Sequence, residues 1–160
     1  MSESAFPTWR TVRRGVYKTL SAYLAAMDAK GFRFSAYAGQ ILRKVVWSQE
    51  VGEEELVMVL DMDLGLTGPY TLYELAAAAA RLGFYRLDAD VAAGLREQYG
   101  DQPLGEFCLV AMDPIAVSDR DLRVFNVEQS GSGALLGGDY AGPERRFGLG
   151  CVWVLSRRKR

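Results

Sequence analysis

The sequence contains no histidine, only two cysteines and only five prolines. Without histidine, the chain lacks the commonest general base, the Ser-His and Cys-His nucleophile pairs and the usual zinc ligand. Cys108 and Cys151 lie far apart in apolar runs, which favours two buried free thiols over a metal site. The composition therefore excludes most histidine-based enzyme classes.

The sequence predicts a single α+β domain over residues 1–160. A chain of 160 residues is typical of one domain, and a hydrophobic content of 49% is enough for a packed core. No apolar stretch approaches the roughly 18 residues that a transmembrane helix needs. The first ten residues also lack the apolar segment of a secretory signal. We therefore expect a cytoplasmic protein without a membrane partner.

Charge is segregated along the chain, although the net charge is only −1. Residues 1–44 carry eight Lys or Arg against two acids, and residues 45–144 carry five Arg against eighteen Asp or Glu. Residues 145–160 carry six Lys or Arg and no acid. Such asymmetry indicates either a charged partner or basic ends that fold onto an acidic middle.

The N-terminal third is predicted to begin with a long amphipathic helix. Apolar residues recur every three or four positions between Thr8 and Lys30, and Gly31 is a natural stop. Next, Ile41–Gln49 and Glu55–Asp63 are predicted to form a β-hairpin, because both contain strand-forming apolar residues around a polar turn. A helix over Ala36–Val46 is the alternative for the first of these segments.

Two central helices and a C-terminal antiparallel sheet complete the predicted fold. Thr71 and Glu74 have the spacing of a capping box at the start of the first helix, and Asp88 is a good N-cap for the second. Turn-forming residues then separate four segments of strand character. These segments are Glu106–Met112, Asp121–Glu128, Ala134–Gly137 and Phe147–Ser156.

Asp61 and Asp63 follow the apolar run at residues 56–60 and suggest a metal-binding pair. Side chains two apart on a strand point to the same face, so both carboxylates are placed to bind one Mg²⁺. The string VMVLDMDLGLTG resembles the first motif of haloacid-dehalogenase-like phosphatases. That resemblance implies a nucleophile at Asp61 and a general acid at Asp63. The family also needs a lysine downstream of this motif, whereas the only lysine after residue 44 in this chain is Lys159.

A second interpretation of this region is an acidic binding surface. Six acids and no base occupy residues 50–63, and they form the predicted partner-binding set: Glu50, Glu53, Glu54, Glu55, Asp61 and Asp63. Together with many aromatic residues and little catalytic apparatus, they favour a non-enzymatic interaction protein without a cofactor. The expected partner is a basic, or nucleic-acid-binding, protein. A metal-dependent phosphate-handling enzyme that uses Asp61 and Asp63 is the alternative.

A third hypothesis is nucleic-acid binding through basic residues, since such side chains can contact phosphate backbones. On the predicted N-terminal helix the basic ridge consists of Arg10, Arg13, Arg14 and Lys18. The C-terminal tail adds Arg157, Arg158, Lys159 and Arg160.

The stretch Leu82–Ile115 contains GFYRLD, then DQP and MDP. It resembles small proteins of phages and mobile elements in GC-rich bacteria. This resemblance implies an inhibitor or accessory factor that binds a host or phage component. It implies no reaction.

Overall fold

The computed structural model describes residues 6–159, which form one mixed sheet of eight strands together with four α-helices. The helices are α1 (Leu20–Ala29), α2 (Ala36–Leu42), α3 (Leu72–Arg81) and α4 (Ala89–Gln98). The strands are β1 (Arg10–Arg14), β2 (Arg33–Phe34), β3 (Gly52–Leu60), β4 (Phe107–Val110), β5 (Ile115–Ala116), β6 (Leu122–Ser130), β7 (Gly133–Tyr140) and β8 (Val152–Ser156). A 3₁₀ turn at Asp61–Leu64 follows β3. The α+β class is confirmed.

The sheet joins strands from distant parts of the chain. Its order is β1-β3-β8-β4-β6-β7-β2, and β5 pairs with β6 outside this path. Strand β8 lies antiparallel to β3 on one side and parallel to β4 on the other. The predicted purely antiparallel C-terminal sheet is therefore wrong in detail, although the four predicted strand segments contain β4, β6, β7 and β8 in whole or in part.

The prediction of one helix over Thr8–Lys30 is wrong for its first half. Residues Arg10–Arg14 form β1, which pairs antiparallel with β3 and places Arg13 opposite Glu53. Gly15 then takes a left-handed φ of 74°, and a Cβ at this position would lie 2.1 Å from the carbonyl oxygen of Glu50. A helix cannot continue through that backbone conformation. Helix α1 starts later, with Thr19 as its N-cap.

The predicted hairpin between Ile41–Gln49 and Glu55–Asp63 is also wrong. The alternative of a helix is confirmed for α2, whose N-cap Ser35 accepts a hydrogen bond from the Ala38 amide at 3.1 Å. Residues 43–51 contain no regular element. Strand β3 instead pairs antiparallel with β1 and with β8, through five residue pairs on each side.

The two central helices are confirmed, and α3 begins as its sequence predicts. The Thr71 hydroxyl accepts a hydrogen bond from the Glu74 amide at 3.2 Å, and the Glu74 carboxylate accepts one from the Thr71 amide at 2.8 Å. This reciprocal pair satisfies two amides that the helix itself leaves without acceptors.

Replacing Thr71 by alanine should lower the free energy of unfolding by about 1 kcal/mol, since the cap hydroxyl is lost. The exposed loop residue Thr67 provides the matched control, and Thr67→Ala should change stability by less than about 0.5 kcal/mol. Urea titrations of the two variants and the unmodified protein measure both effects, as shifts of the unfolding midpoint with an unchanged m-value. Equal stability of the two variants would contradict the role given to this cap.

Helix α4 is the centre of the core. Every residue from Val91 to Glu97 is buried, and the helix contacts α1, β1, β6 and β7. Since β1 and β7 lie towards opposite ends of the sheet order, the sheet curves around α4.

At the edge strand β1, the side-chain amide of Gln98 donates to the Arg13 carbonyl and accepts from the Arg13 N–H, both at 2.8 Å. This side chain thus occupies part of the open edge.

A buried polar network holds the end of α4. The Arg96 guanidinium is fully buried and donates to the side-chain oxygen of Gln102 at 2.6 Å and to the carbonyls of Tyr99 and Glu128 at 2.7 and 3.1 Å. Gln102 in turn donates to the Val127 carbonyl at 3.2 Å. The DQP motif therefore has a structural role, because its glutamine connects α4 to β6.

None of the helices in residues 6–159 exceeds ten residues, and none is long and apolar enough to cross a bilayer.

Candidate binding groove

The two aspartates that suggested a metal site do not face the same way. Asp61 is fully buried, whereas Asp63 is exposed, because the chain forms a 3₁₀ turn here instead of a strand. The Asp61 carboxylate accepts hydrogen bonds from the Tyr70 hydroxyl at 2.5 Å and from the amides of Gly150 and Cys151 at 2.9 Å. The expectation of a shared face is therefore wrong.

The environment of Asp61 is that of a structural carboxylate. Burial alone would raise its pKa, but the hydrogen bonds from Tyr70, Gly150 and Cys151 outweigh burial and lower it. Tyr70 also accepts a hydrogen bond from the Trp153 indole at 2.9 Å, so the network links the 3₁₀ turn to β8. Within residues 6–159, no group of three or more Cys, Asp or Glu side chains is arranged to hold a metal ion. The Mg²⁺ hypothesis thus loses its predicted geometry.

The predicted acidic surface is smaller than the sequence suggested. Glu54 and Asp61 are buried, whereas the other four acids of the set remain exposed. The basic C-terminal segment lies against the same strand, since the Arg157 amide donates to the Glu55 carbonyl at 3.0 Å and Arg158 lies 3.8 Å from the Glu54 carboxylate. Arg157 and Arg158 therefore lie against the acidic strand β3.

The predicted basic ridge does not exist as a helix face, because its residues lie on β1 and in the turn after it. Arg10 forms an ion pair with Asp101 at 2.9 Å and lies 4.4 Å from the centre of the Tyr99 ring. Lys18 donates to the Gly15 carbonyl at 3.1 Å. Arg160 lies outside the described residues. Nucleic-acid binding stays a prediction, and the helix face that was expected to carry it is replaced by a strand and a turn.

A groove of about 430 Å³ lies at the N-terminus of α4, and we call it the α4 groove. Its walls come from the loop after α2, from the start of α4 and from the segment between β4 and β5. The residues that line it are Lys44, Val45, Val46, Ser48, Leu87, Asp88, Ala89, Asp90, Asp113, Pro114 and Ile115. Val46 is 86% exposed at this groove.

Two motifs of the Leu82–Ile115 stretch meet in this wall. The Leu87 amide donates to the Ala111 carbonyl at 2.8 Å, and Leu87 forms an isolated parallel bridge with Met112. This bridge brings the LD of GFYRLD beside the MDP sequence, so Asp88 and Asp113 both line the groove. The motifs for which the sequence suggested no chemistry therefore form one wall of the α4 groove.

Asp90 fixes the loop that forms the opposite wall. Asp90 is 9% exposed, and its carboxylate accepts a hydrogen bond from the Ser48 amide at 3.0 Å. Burial raises the pKa of Asp90, and the neighbouring Asp88 carboxylate raises it further. Asp88 occupies the N-cap position of α4, but its side chain makes no capping hydrogen bond. The N-terminus of α4 therefore presents two carboxylates to one groove.

Neither protein-family models, nor curated proteins, nor solved structures match this chain. The chemistry of the α4 groove therefore has to be inferred from its own residues. The likeness of Leu82–Ile115 to proteins of phages and mobile elements stays a prediction.

Sequence reasoning missed the groove although its parts were visible. The sequence places Asp90 near the start of the second central helix and Val46 in the predicted strand Ile41–Gln49, so neither residue points to a shared groove. The available signal was the presence of LDAD and MDP within one short stretch. The two motifs are brought together by the bridge between Leu87 and Met112. These residues are 25 positions apart, so the local sequence around either one does not predict the bridge.

Proposed function

We propose that this protein is a non-enzymatic binding protein that holds a segment of another protein in the α4 groove. The observation that carries the proposal is the exposure of Val46, at 86%, beside a groove of about 430 Å³. A role as an inhibitor or accessory factor fits such binding and agrees with the resemblance of Leu82–Ile115. It needs no cofactor.

The lining of the groove supports binding of a partly apolar segment. Its wall contains Val45, Leu87, Ala89, Pro114 and Ile115 beside Val46. Binding sites are typically concave and mostly apolar, with a few polar groups that fix orientation. Covering this wall removes apolar surface from water, which is the main favourable term in most protein association. The groove therefore has both the shape and the composition of a binding site.

Replacing Val46 by arginine should abolish this binding without affecting the fold. The new side chain is long and charged and stands over the apolar wall, whereas the exposed position of Val46 tolerates it. Val51→Arg is the matched control, because Val51 lies in the same loop, is 64% exposed and does not line the groove. Both variants should melt within about 2 °C of the unmodified protein.

Selection from a phage library of random linear peptides on the immobilised full chain measures the effect. Enriched peptides should bind Val51→Arg as tightly as the unmodified chain and Val46→Arg at least about tenfold more weakly, a change of about 1.4 kcal/mol. Peptides that bind all three proteins equally, or a selection that enriches none, would contradict the proposed function.

The exposed acids of β3 provide a second candidate surface, because Glu53 and Glu55 remain accessible. Charge reversal of both residues distinguishes the two surfaces in the same selection. Loss of peptide binding in Glu53→Lys/Glu55→Lys, with retention in Val46→Arg, would favour the acidic strand over the α4 groove.

A further inference from the structure

We infer that the segment held in the α4 groove is a basic one, in which a Lys or Arg side chain lies next to apolar side chains. This inference rests on the proposed function and names the partner chemistry of the same groove. It is carried by the charges around the groove and by the shape of the cavity that adjoins it.

The charges that line the groove are predominantly negative. Asp88, Asp90 and Asp113 contribute three carboxylates against one ammonium group, that of Lys44. The Lys44 Nζ donates to the Ala116 carbonyl at 2.5 Å, so this cation is held at the wall by β5. A partner cation therefore enters a region with an excess of acceptors for it.

Asp113 already shows how a cation is held at this rim. Its side chain is 84% exposed and forms an ion pair with Arg86 at 2.8 Å. An exposed pair of this kind contributes little to stability and is exchangeable with solvent or with another cation. A partner guanidinium or ammonium group can therefore share or replace Arg86 at Asp113 at small cost to the fold.

A smaller cavity of about 170 Å³ continues the groove towards α3. It shares Leu87, Asp88 and Asp113 with the α4 groove, and it also contacts Ala76 and Ala80. The two carboxylates at this junction thus stand between two partly apolar spaces. An extended segment that crosses the junction places its basic side chain at the carboxylates and its apolar side chains on either side.

The carboxylates at the start of α4 also repel one another. The neighbouring Asp88 raises the pKa of Asp90 in addition to the larger effect of burial. A cation bound at Asp88 would offset this repulsion, which is a gain made only in the complex. The geometry and the electrostatics therefore favour the same ligand.

The test compares the double variant Asp88→Asn/Asp113→Asn with the double variant Asp28→Asn/Asp63→Asn. Each removes two negative charges, but Asp28 and Asp63 are exposed and lie outside the groove. The Asp88 side chain makes no capping hydrogen bond, so asparagine at this position should preserve α4. Both proteins are probed with the peptides that the unmodified chain enriches and that depend on Val46.

Groove-dependent peptides should contain Lys or Arg next to apolar residues and should bind the Asp88/Asp113 variant at least about tenfold more weakly. The Asp28/Asp63 control should bind them almost unchanged. Raising the salt from about 0.1 M to about 1 M should also weaken binding, because the Debye length falls from about 10 Å to about 3 Å.

Two outcomes would overturn the inference in distinguishable ways. Groove-dependent peptides without a basic residue, or peptides indifferent to the Asp88/Asp113 variant, would refute the partner chemistry and leave the proposed function in place. A selection without any Val46-dependent peptide would refute both.

Discussion

Replacing Asp61 by alanine should destabilise the protein by about 4 kcal/mol, because three hydrogen-bond donors lose their charged acceptor. These donors are the Tyr70 hydroxyl and the amides of Gly150 and Cys151. The Asp61 side chain is itself fully buried, so its truncation also leaves a cavity beside these donors. Urea unfolding followed by circular dichroism measures the loss.

Two further variants make the result interpretable. Asp63→Ala removes an exposed carboxylate two residues away and should change stability by less than about 0.5 kcal/mol. Asp61→Asn keeps one oxygen acceptor and should lie between the alanine variant and the unmodified chain, which covers the case in which Asp61→Ala does not fold. Equal stability of the Asp61 and Asp63 variants would show that the carboxylate network is not structural.

The dependence on pH has a definite sign. Burial raises the pKa of Asp61, but the hydrogen bonds lower it by more, so the folded-state pKa lies below that of the unfolded chain. The unfolded value is about 3.9, and the stabilisation is complete well above it and is lost as the pH falls through the folded-state pKa. The difference in stability between the unmodified chain and Asp61→Asn should therefore narrow between about pH 6 and about pH 2.

Replacing Arg96 by methionine should cost about 4 kcal/mol as well, since the variant leaves buried acceptors without donors. Methionine fills much of the volume but offers nothing to the Gln102 side chain or to the carbonyls of Tyr99 and Glu128. Arg96→Lys should be intermediate, because an ammonium group lacks the planar fork that reaches several oxygens at once.

Arg81 provides the control for this comparison, because it is exposed in the last turn of α3. Arg81→Met should change stability by less than about 0.5 kcal/mol. Melting temperatures and urea midpoints of the three variants measure the stability that each substitution removes. An Arg96→Met protein as stable as Arg81→Met would contradict the stabilising role given to the Arg96 network. If Arg96→Met does not fold, the lysine variant gives the same comparison on a smaller scale.

The parts of the fold that the sequence predicted correctly depend on neighbouring residues. The capping box of Thr71 and Glu74 is complete within four residues. The alternation of residues 122–128 and the glycines near 131–133 mark the β6–β7 hairpin through local patterns. Such signals are readable because the interacting groups are close in the chain.

The errors concern pairings between distant residues. Arg13 pairs with Glu53, and Leu56 pairs with Ser156, so no window of the sequence contains both partners of either pair. The spacing of Trp9, Val12 and Val16 fitted a helix, yet the ladder with β3 determines the conformation. Tertiary context overrides local periodicity in this way when a strand partner is available.

The candidate site was mispredicted for a related reason. Asp61 is polar and follows a strand, which is typical of a surface or an active site, but Tyr70 and the turn before β8 enclose it. The network of Arg96 was equally invisible, because a charged residue in a helix is normally exposed. Each of the two side chains is enclosed by a segment that lies more than 30 residues away in the chain: Arg96 contacts Glu128, and Asp61 contacts Gly150.

The position of β8 has a consequence for how the chain reaches its native state. Residues 152–156 fill the gap between β3 and β4, and β3 also needs β1 from the opposite end of the described chain. A growing polypeptide therefore cannot complete the middle of its sheet before residue 156 has left the ribosome. Until then the apolar edges of β3 and β4 stay open to other chains. Long-range pairings of this kind form slowly. We therefore expect the protein to be most prone to aggregation during synthesis, while those strand edges are exposed.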